Sequence, residues 1–228
     1  MSSRSIILNK IKASKSLIDG GADLPEITFD GLSNTAGFTR EELVEGFAKE
    51  LEAVNGRVYR VEEGEGRREK ICRIIEEIIK ERGFQNCATS EEKYLKELEL
   101  DNFLIDKGFG VLKDFAAKSD LSNVEVGITC AQYAIAKTGT LVITHSKENQ
   151  RWLSLLPQVH VVIIEKGKIL SDTSELVAIL DDSLFSNRGD IRKSNSITWI
   201  TGPSRTADIE LNLVLGVHGP KELLCIVV

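Results

Sequence analysis

The run His160-Val-Val-Ile-Ile164 holds four branched aliphatic residues with no polar interruption after its first position. A strand with one wet face alternates apolar and polar side chains, whereas a strand covered on both faces reads as a continuous apolar run. HVVII therefore predicts an interior strand of a parallel sheet. Such a sheet needs crossover connections, usually helical, and the flanking sequence supplies them. Ile71, Ile74, Ile75, Ile78 and Ile79 recur at i, i+3, i+4, i+7 and i+8, and Gly83 closes that helix. Arg73, Glu76, Glu77 and Lys80 fill its opposite, solvated face. Thr39-Arg-Glu-Glu42 reads as a capping box before Leu43, Val44, Phe47, Ala48, Leu51 and Val54, and Asn55-Gly56 as a left-handed stop. Strands are expected at 57–61, 84–88, 124–128, 140–144, 197–200 and 223–228. Helices are expected after a Ser90 cap and at 109–117, 173–185 and 206–215, with a short helical turn over 131–136. The alternation predicts an α/β fold, largely parallel, with helices on both faces of the sheet. Residues 1–37, a helix over 4–18 followed by a linker rich in Gly, Asp, Pro and Asn, are expected to form an arm, and 38–228 the α/β domain.

The 228 residues suit one sizeable domain with such an appendage. Twenty-nine Lys and Arg against 35 Asp and Glu give a net charge of −6. That balance argues against nucleic acid, whose phosphates need a basic surface. Cys72, Cys87, Cys130 and Cys225 are scattered without a C-x-x-C, so neither a metal or iron–sulfur site of this chain's own nor a disulfide scaffold is expected. The N-terminal residues lack the continuous apolar stretch of a signal peptide, and no window approaches the roughly 18 apolar residues of a membrane span. A cytoplasmic location is the expectation.

Chemistry is expected in three segments. Ser196-Ile-Thr-Trp-Ile200 ends in Thr201-Gly-Pro-Ser-Arg205-Thr206-Ala-Asp208-Ile-Glu210, a polar loop at the point where a strand is expected to give way to a helix. Gly202 permits close backbone approach, Ser204 or Thr206 can cap the helix, and Arg205 offers a bidentate donor to a carboxylate or phosphate. The alternative is a structural loop in which Arg205 pairs with Asp208 or Glu210. Thr138-Gly139-Thr140 is a tight turn whose N–H groups and hydroxyls can cradle an oxyanion. His218, between glycines and before Pro220, is either a turn histidine or a titratable acid/base group. His145 and His160 are poorer candidates, His160 reading as a core residue at the head of a buried strand. Cys130 stands beside the Gly- and Thr-rich turn. Neither a phosphate-binding P-loop nor a dinucleotide G-x-G-x-x-G is present.

Three segments in this order, Gly127 to Ser146, Arg151 to Ile164 and Ile200 to Leu223, resemble the lactate-utilization protein C, or LUD-domain, family. The resemblance implies a Rossmann-like three-layer α/β sandwich of the glucosamine-phosphate isomerase, ribose-phosphate isomerase and coenzyme A transferase type. It implies a part in oxidising L-lactate to pyruvate beside two partner proteins that carry iron–sulfur clusters, and no cluster in this chain. It also implies acidic residues near the Thr-Gly-Thr turn, where this chain has Gln132 and Lys137. Gln132 cannot act as a general base, so a carboxylate needed there is either lost or supplied from elsewhere.

Three functions follow as expectations. In the first, Thr138, Gly139, Thr140, Thr201, Gly202, Ser204, Arg205, Thr206, Asp208 and Glu210 hold a small anion, His218 is the catalytic acid/base, and the chain is a cluster-free subunit of a lactate-oxidising system. In the second, the chain is a non-catalytic ligand-binding or assembly module. In the third, it is an autonomous isomerase or acyl transferase, a reading that rests on fold analogy alone.

Overall fold

The computed structural model describes residues 37–113, 123–185, 196–207, 213–216 and 218–228. Except for Gly37, the expected arm over 1–37 lies outside the described residues, as do Asp208 and Glu210.

Helix α1 (Arg40–Ala53) opens on the expected capping box: Glu42 N donates to Thr39 Oγ1 at 3.2 Å, and Thr39 N donates to Glu42 Oε2 at 2.7 Å. It ends at Asn55, whose φ is +68°, with Gly56 N donating to Leu51 O at 2.9 Å. Strand β1 (Arg57–Arg60) follows, then α2 (Arg67–Glu81), the isoleucine helix. Ile71, Ile75, Ile78 and Ile79 are buried. Each contributes about 1.5–3 kcal/mol by leaving water, so the helix holds its place by packing more than by propensity. Beyond it come β2 (Asn86–Thr89), the short helices α3 (Lys93–Glu97) and α4 (Leu100–Asp106), β3 (Gly110–Val111), β4 (Val126–Cys130), β5 (Tyr133–Ile135) and β6 (Thr140–His145). The rest is β7 (Val159–Ile164), β8 (Ile169–Leu170), α5 (Thr173–Phe185), β9 (Ser196–Ile200), the strands β10 (Arg205–Ala207) and β11 (Leu213–Leu215), and β12 (Glu222–Val227).

Six strands form a wholly parallel sheet in the order β1-β12-β7-β4-β2-β3. All six residues of β7 are buried, and Val162 pairs with Cys225 on one side and Thr129 on the other. The opening run is thus an interior strand, as its composition requires. Alternate residues feed different layers. Val161, Ile163, Leu224 and Ile226 pack with the isoleucines of α2 and with Leu100 and Leu104 of α4. Val162, Ile164, Cys225 and Val227 pack with Val44, Phe47 and Leu51 of α1 and with Leu141 and Ile143 of β6.

The second face therefore departs from the expected all-helix cover. It is closed by α1 together with a small mixed sheet, β8-β5-β6-β9, in which β6 runs antiparallel to both β5 and β9. The other face of that small sheet packs Ile135, Val142 and Leu170 against Leu176 of α5. Three local expectations are corrected. The turn at 131–136 is strand β5, because Tyr133 to Ile135 pair with β6 on one side and Ala134 and Ile135 with β8 on the other. The segment expected to be helical from 109 opens as β3, where Gly110 and Val111 pair with Asn86 and Cys87. The helix expected over 206–215 is, in its described residues, an antiparallel pair: Arg205 opposes Leu215 and Ala207 opposes Leu213.

Candidate functional site

Strands β2 and β4 are neighbours whose chains leave their carboxyl ends in opposite directions, β2 toward the edge strand β3 and β4 toward β7. In open parallel sheets this topological switch point opens a crevice for ligands. Ser90, just past β2, continues the ladder by donating its N–H to Ile128 O at 2.9 Å. Two residues on, Glu92 turns its carboxyl into the crevice. Its Oε2 accepts from Ser90 Oγ at 2.8 Å, from Cys130 N at 2.9 Å and from Asn149 Nδ2 at 3.2 Å. Its Oε1 accepts from Gln132 Nε2 at 2.8 Å. Burial pushes the Glu92 carboxyl above the usual carboxylate range, outweighing the hydrogen bonds that pull it down. Ser90 thus serves this carboxylate, not the expected helix cap; Glu92 itself occupies the N-cap of α3 without a capping hydrogen bond.

A cleft of about 1100 Å³ lies over this group, lined among others by Tyr94, Cys130, Gln132, Thr144, Ile163 and Lys168. Burial, with the nearby Glu92 charge, holds the Cys130 thiol well above its ordinary value, so it is a neutral wall and not a thiolate nucleophile. Tyr94 is likewise raised by burial. Charges on the rim are paired: Lys96 with Glu91 at 3.4 Å, Lys93 with Glu97 at 3.4 Å and Lys168 with Glu165 at 2.7 Å. Beyond Glu91 a smaller cavity of about 190 Å³ opens, lined by Thr89, Asp101, Lys113 and Trp152 among others. There Thr89 Oγ1 donates to Asp101 Oδ1 at 2.6 Å, and Lys113 pairs with Asp101 at 2.7 Å. Among the described residues no group of three or more His, Cys, Asp or Glu side chains is placed to hold a metal ion.

The residues singled out from the sequence gather elsewhere. The antiparallel register Leu141↔Ile200 brings the start of β6 beside the end of β9. Thr138 Oγ1 lies 2.6 Å from Thr140 Oγ1, which lies 2.8 Å from Thr201 Oγ1. Gly139 and Gly202, with φ of +62° and +86°, press their backbones against Leu51 and Val54 at the end of α1. Arg205 Nη2 donates to the Val54 carbonyl. Ser204 N donates to Pro220 O at 2.9 Å and Gly216 N to Ser204 O at 3.1 Å, while His218 is exposed on the adjoining turn. Thr206 lies on β10 opposite Val214. Val54 precedes β1 and Pro220 precedes β12, so this constellation sits at the amino-terminal edge of the parallel sheet, opposite the Glu92 cleft. Two structural premises of that site are corrected: β9 belongs to the small mixed sheet, antiparallel to β6, so its carboxyl end does not lie at the carboxyl edge of the parallel sheet, and a strand, β10, stands where a helix N-terminus was expected.

His145 and His160 are both buried, His160 as expected; their Nε2 atoms lie 2.8 Å from Thr198 Oγ1 and 2.9 Å from Thr129 Oγ1. Burial lowers both, His160 to about 3. Sequence reasoning passed over Glu92, whose signal was an acid three residues beyond a strand whose neighbour ends at Cys130. Gln132, read as a missing acid, is in fact bonded to one.

The sequence matches the family description LUD domain over residues 44–228. It is 26% identical over 203 residues to the lactate utilization protein C of Oceanobacillus iheyensis, covering 84% of this chain and 82% of that protein. To the lactate utilization protein C of Halalkalibacterium halodurans it is 31% identical over 163 residues, 70% of each chain. Its fold is similar to the crystal structure of a DUF162 family protein from Deinococcus radiodurans, with a TM-score of 0.57 and 20% identity over 83% of this chain and 98% of that one.

Proposed function

This chain belongs to the LUD-domain family, and on that premise we propose that it works in lactate utilization, as a cluster-free subunit beside iron–sulfur partner proteins. Oxidising lactate to pyruvate releases two electrons and two protons. The partners' clusters would accept the electrons, and this chain would bind and orient the ligand. The small carboxylate ligand binds in the cleft over β2, β4 and β7. The observation that carries this reading is a carboxyl, Glu92, presented at the topological switch point under a roomy cleft. The Thr201–Glu210 loop supports binding less well, because Thr138, Thr140 and Thr201 already serve one another and Arg205 serves Val54.

The exposed Ile197 and Trp199 on edge strand β9 favour a second reading, a non-catalytic assembly module. Reconstitution with the iron–sulfur partners and L-lactate-dependent dye reduction separates the two. Glu92→Gln is expected to lower turnover by about 10²-fold or more in an intact complex. If Arg205→Ala or His218→Ala causes the loss and Glu92→Gln does not, the ligand belongs at the loop. Near-normal turnover in all three wherever the complex assembles establishes the module.

A further inference from the structure

The geometry points to Oε1 of Glu92 as the proton-carrying atom of the cleft, with Gln132 as the residue that positions it. The inference rests on the cleft being the ligand site and deepens that reading. The two oxygens of Glu92 are not equivalent. Oε2 accepts three hydrogen bonds, from Ser90, Cys130 and Asn149, and is saturated. Among the described residues Oε1 accepts one, from Gln132, which leaves it a lone pair.

The Gln132 amide cannot turn round. Its Oε1 accepts the backbone N–H of Thr144 at 2.6 Å, so its nitrogen must face Glu92. Turning it would set an NH2 group against the Thr144 N–H and leave that donor without an acceptor. Gln132 is therefore a fixed donor to Oε1. It sets the carboxyl's rotation and favours the ionised form, and it directs an added proton to the one vacant position. Glu92, Cys130, Gln132 and Thr144 all line the cleft, so that position opens on ligand space. The other titratable groups on the wall are the neutral Tyr94 and Cys130, the paired Glu91–Lys96, Lys93–Glu97 and Glu165–Lys168, and Glu148, held by Ser146.

The ligand class is a small acid bearing a hydroxyl or carbonyl oxygen. When Glu92 is protonated, its O–H bond breaks and an O–H bond forms on the ligand oxygen. The charge left on Glu92 spreads beneath four donors. In the other direction a ligand hydroxyl gives its proton to Oε1. Neither transfer needs an oxidant.

The test is labelling of the full chain with dicyclohexylcarbodiimide, which adds to protonated carboxyl groups in apolar clefts, across a pH series with each modified glutamate mapped by mass spectrometry. Glu92 is expected to go on reacting at pH values where ordinary glutamates have stopped, several-fold above their level. Gln132→Met, which removes the donor to the ionised form, is expected to extend that range upward. A merely structural Gln132 would leave it in place. If Glu92 loses reactivity together with ordinary glutamates, or if Gln132→Met leaves its profile unmoved, the inference is overturned; should the variant not fold, the wild-type profile alone decides. A displaced profile without lactate-dependent turnover in the reconstituted system refutes the lactate reading and leaves the proton-carrying role standing.

Discussion

Gln132 and Glu92 stand forty residues apart in sequence and meet at 2.8 Å, amide nitrogen to carboxylate oxygen. The pair is polarised: one end of the amide is fixed by the Thr144 N–H, the other by the acid. Glu92→Gln alone should therefore bring two NH2 groups face to face and cost about 1–3 kcal/mol. Gln132→Glu alone sets two carboxyls together and should cost at least as much. The double variant, Glu92→Gln with Gln132→Glu, restores donor against acceptor while Thr144 keeps its partner. Urea denaturation of the four proteins is expected to give a favourable coupling above about 1 kcal/mol. Additive losses would show that the two side chains do not depend on each other.

Gly139 tests the packing at the opposite edge. An added Cβ would lie 2.3 Å from Leu51 N, and the backbone there has φ +62°. Neither problem has a side-chain solution, because the obstacle is backbone. Gly139→Ala is expected to destabilise by about 2–4 kcal/mol, combining the positive-φ penalty with displacement of α1. Gly83→Ala is the control: its φ is +67° but nothing lies within 4 Å of the new Cβ, so about 1 kcal/mol is expected. Equal losses at the two positions would remove the close approach as a cause.

These two regions also show what the sequence could and could not convey. Helices α1 and α2 and strand β7 were legible because periodicity, capping and unbroken apolar character each act within a few residues. The meeting of Thr140 with Thr201 has no local signature, because only the antiparallel register of β6 and β9 brings them together. Segment 205–215 misled because Leu211, Val214 and Leu215 satisfy helical spacing while Leu211, Leu213 and Leu215 satisfy strand alternation. Glu92 was marked locally only as an acid just beyond a strand. Its partners, Cys130, Gln132 and Asn149, arrive only when β4 lies beside β2, so the acid became a candidate through topology.

Arg82 and Glu222 join the end of α2 to the start of β12 by two bonds, Nε to Oε1 at 3.0 Å and Nη2 to Oε2 at 2.7 Å. The Arg82 side chain is 12% exposed and that of Glu222 38%, so solvent screens part of the attraction. Glu222→Gln is expected to cost about 1–2 kcal/mol at pH 7. The Arg82 hydrogen bond holds the Glu222 carboxyl below its ordinary 4.5. A depressed acid stabilises above its unfolded pKa and loses that contribution as pH falls through the folded value. The wild-type advantage in urea midpoint should therefore be constant from pH 7 to about 5 and shrink below 4.5.

His160 gives the opposite chemistry the same direction of effect. It is fully buried, its Nδ1 has no hydrogen-bond partner among the described residues, and burial lowers its pKa from 6.5 to about 3. The unfolded chain takes up a proton on this ring below pH 6.5 that the folded chain refuses until about pH 3. Stability contributed by the neutral ring is therefore full above 6.5 and falls between the two values, by about 1.4 kcal/mol per pH unit. His145, also lowered by burial, adds a loss of the same sign. His160→Gln retains a group able to bond Thr129 and lacks the titration, while His145 stays in both proteins and cancels. The difference in unfolding free energy between wild type and His160→Gln, followed by urea titration from pH 7.5 to 4.5, should change steadily in the variant's favour as the solution is acidified. Parallel curves over that range would place the acid sensitivity of the fold in other groups.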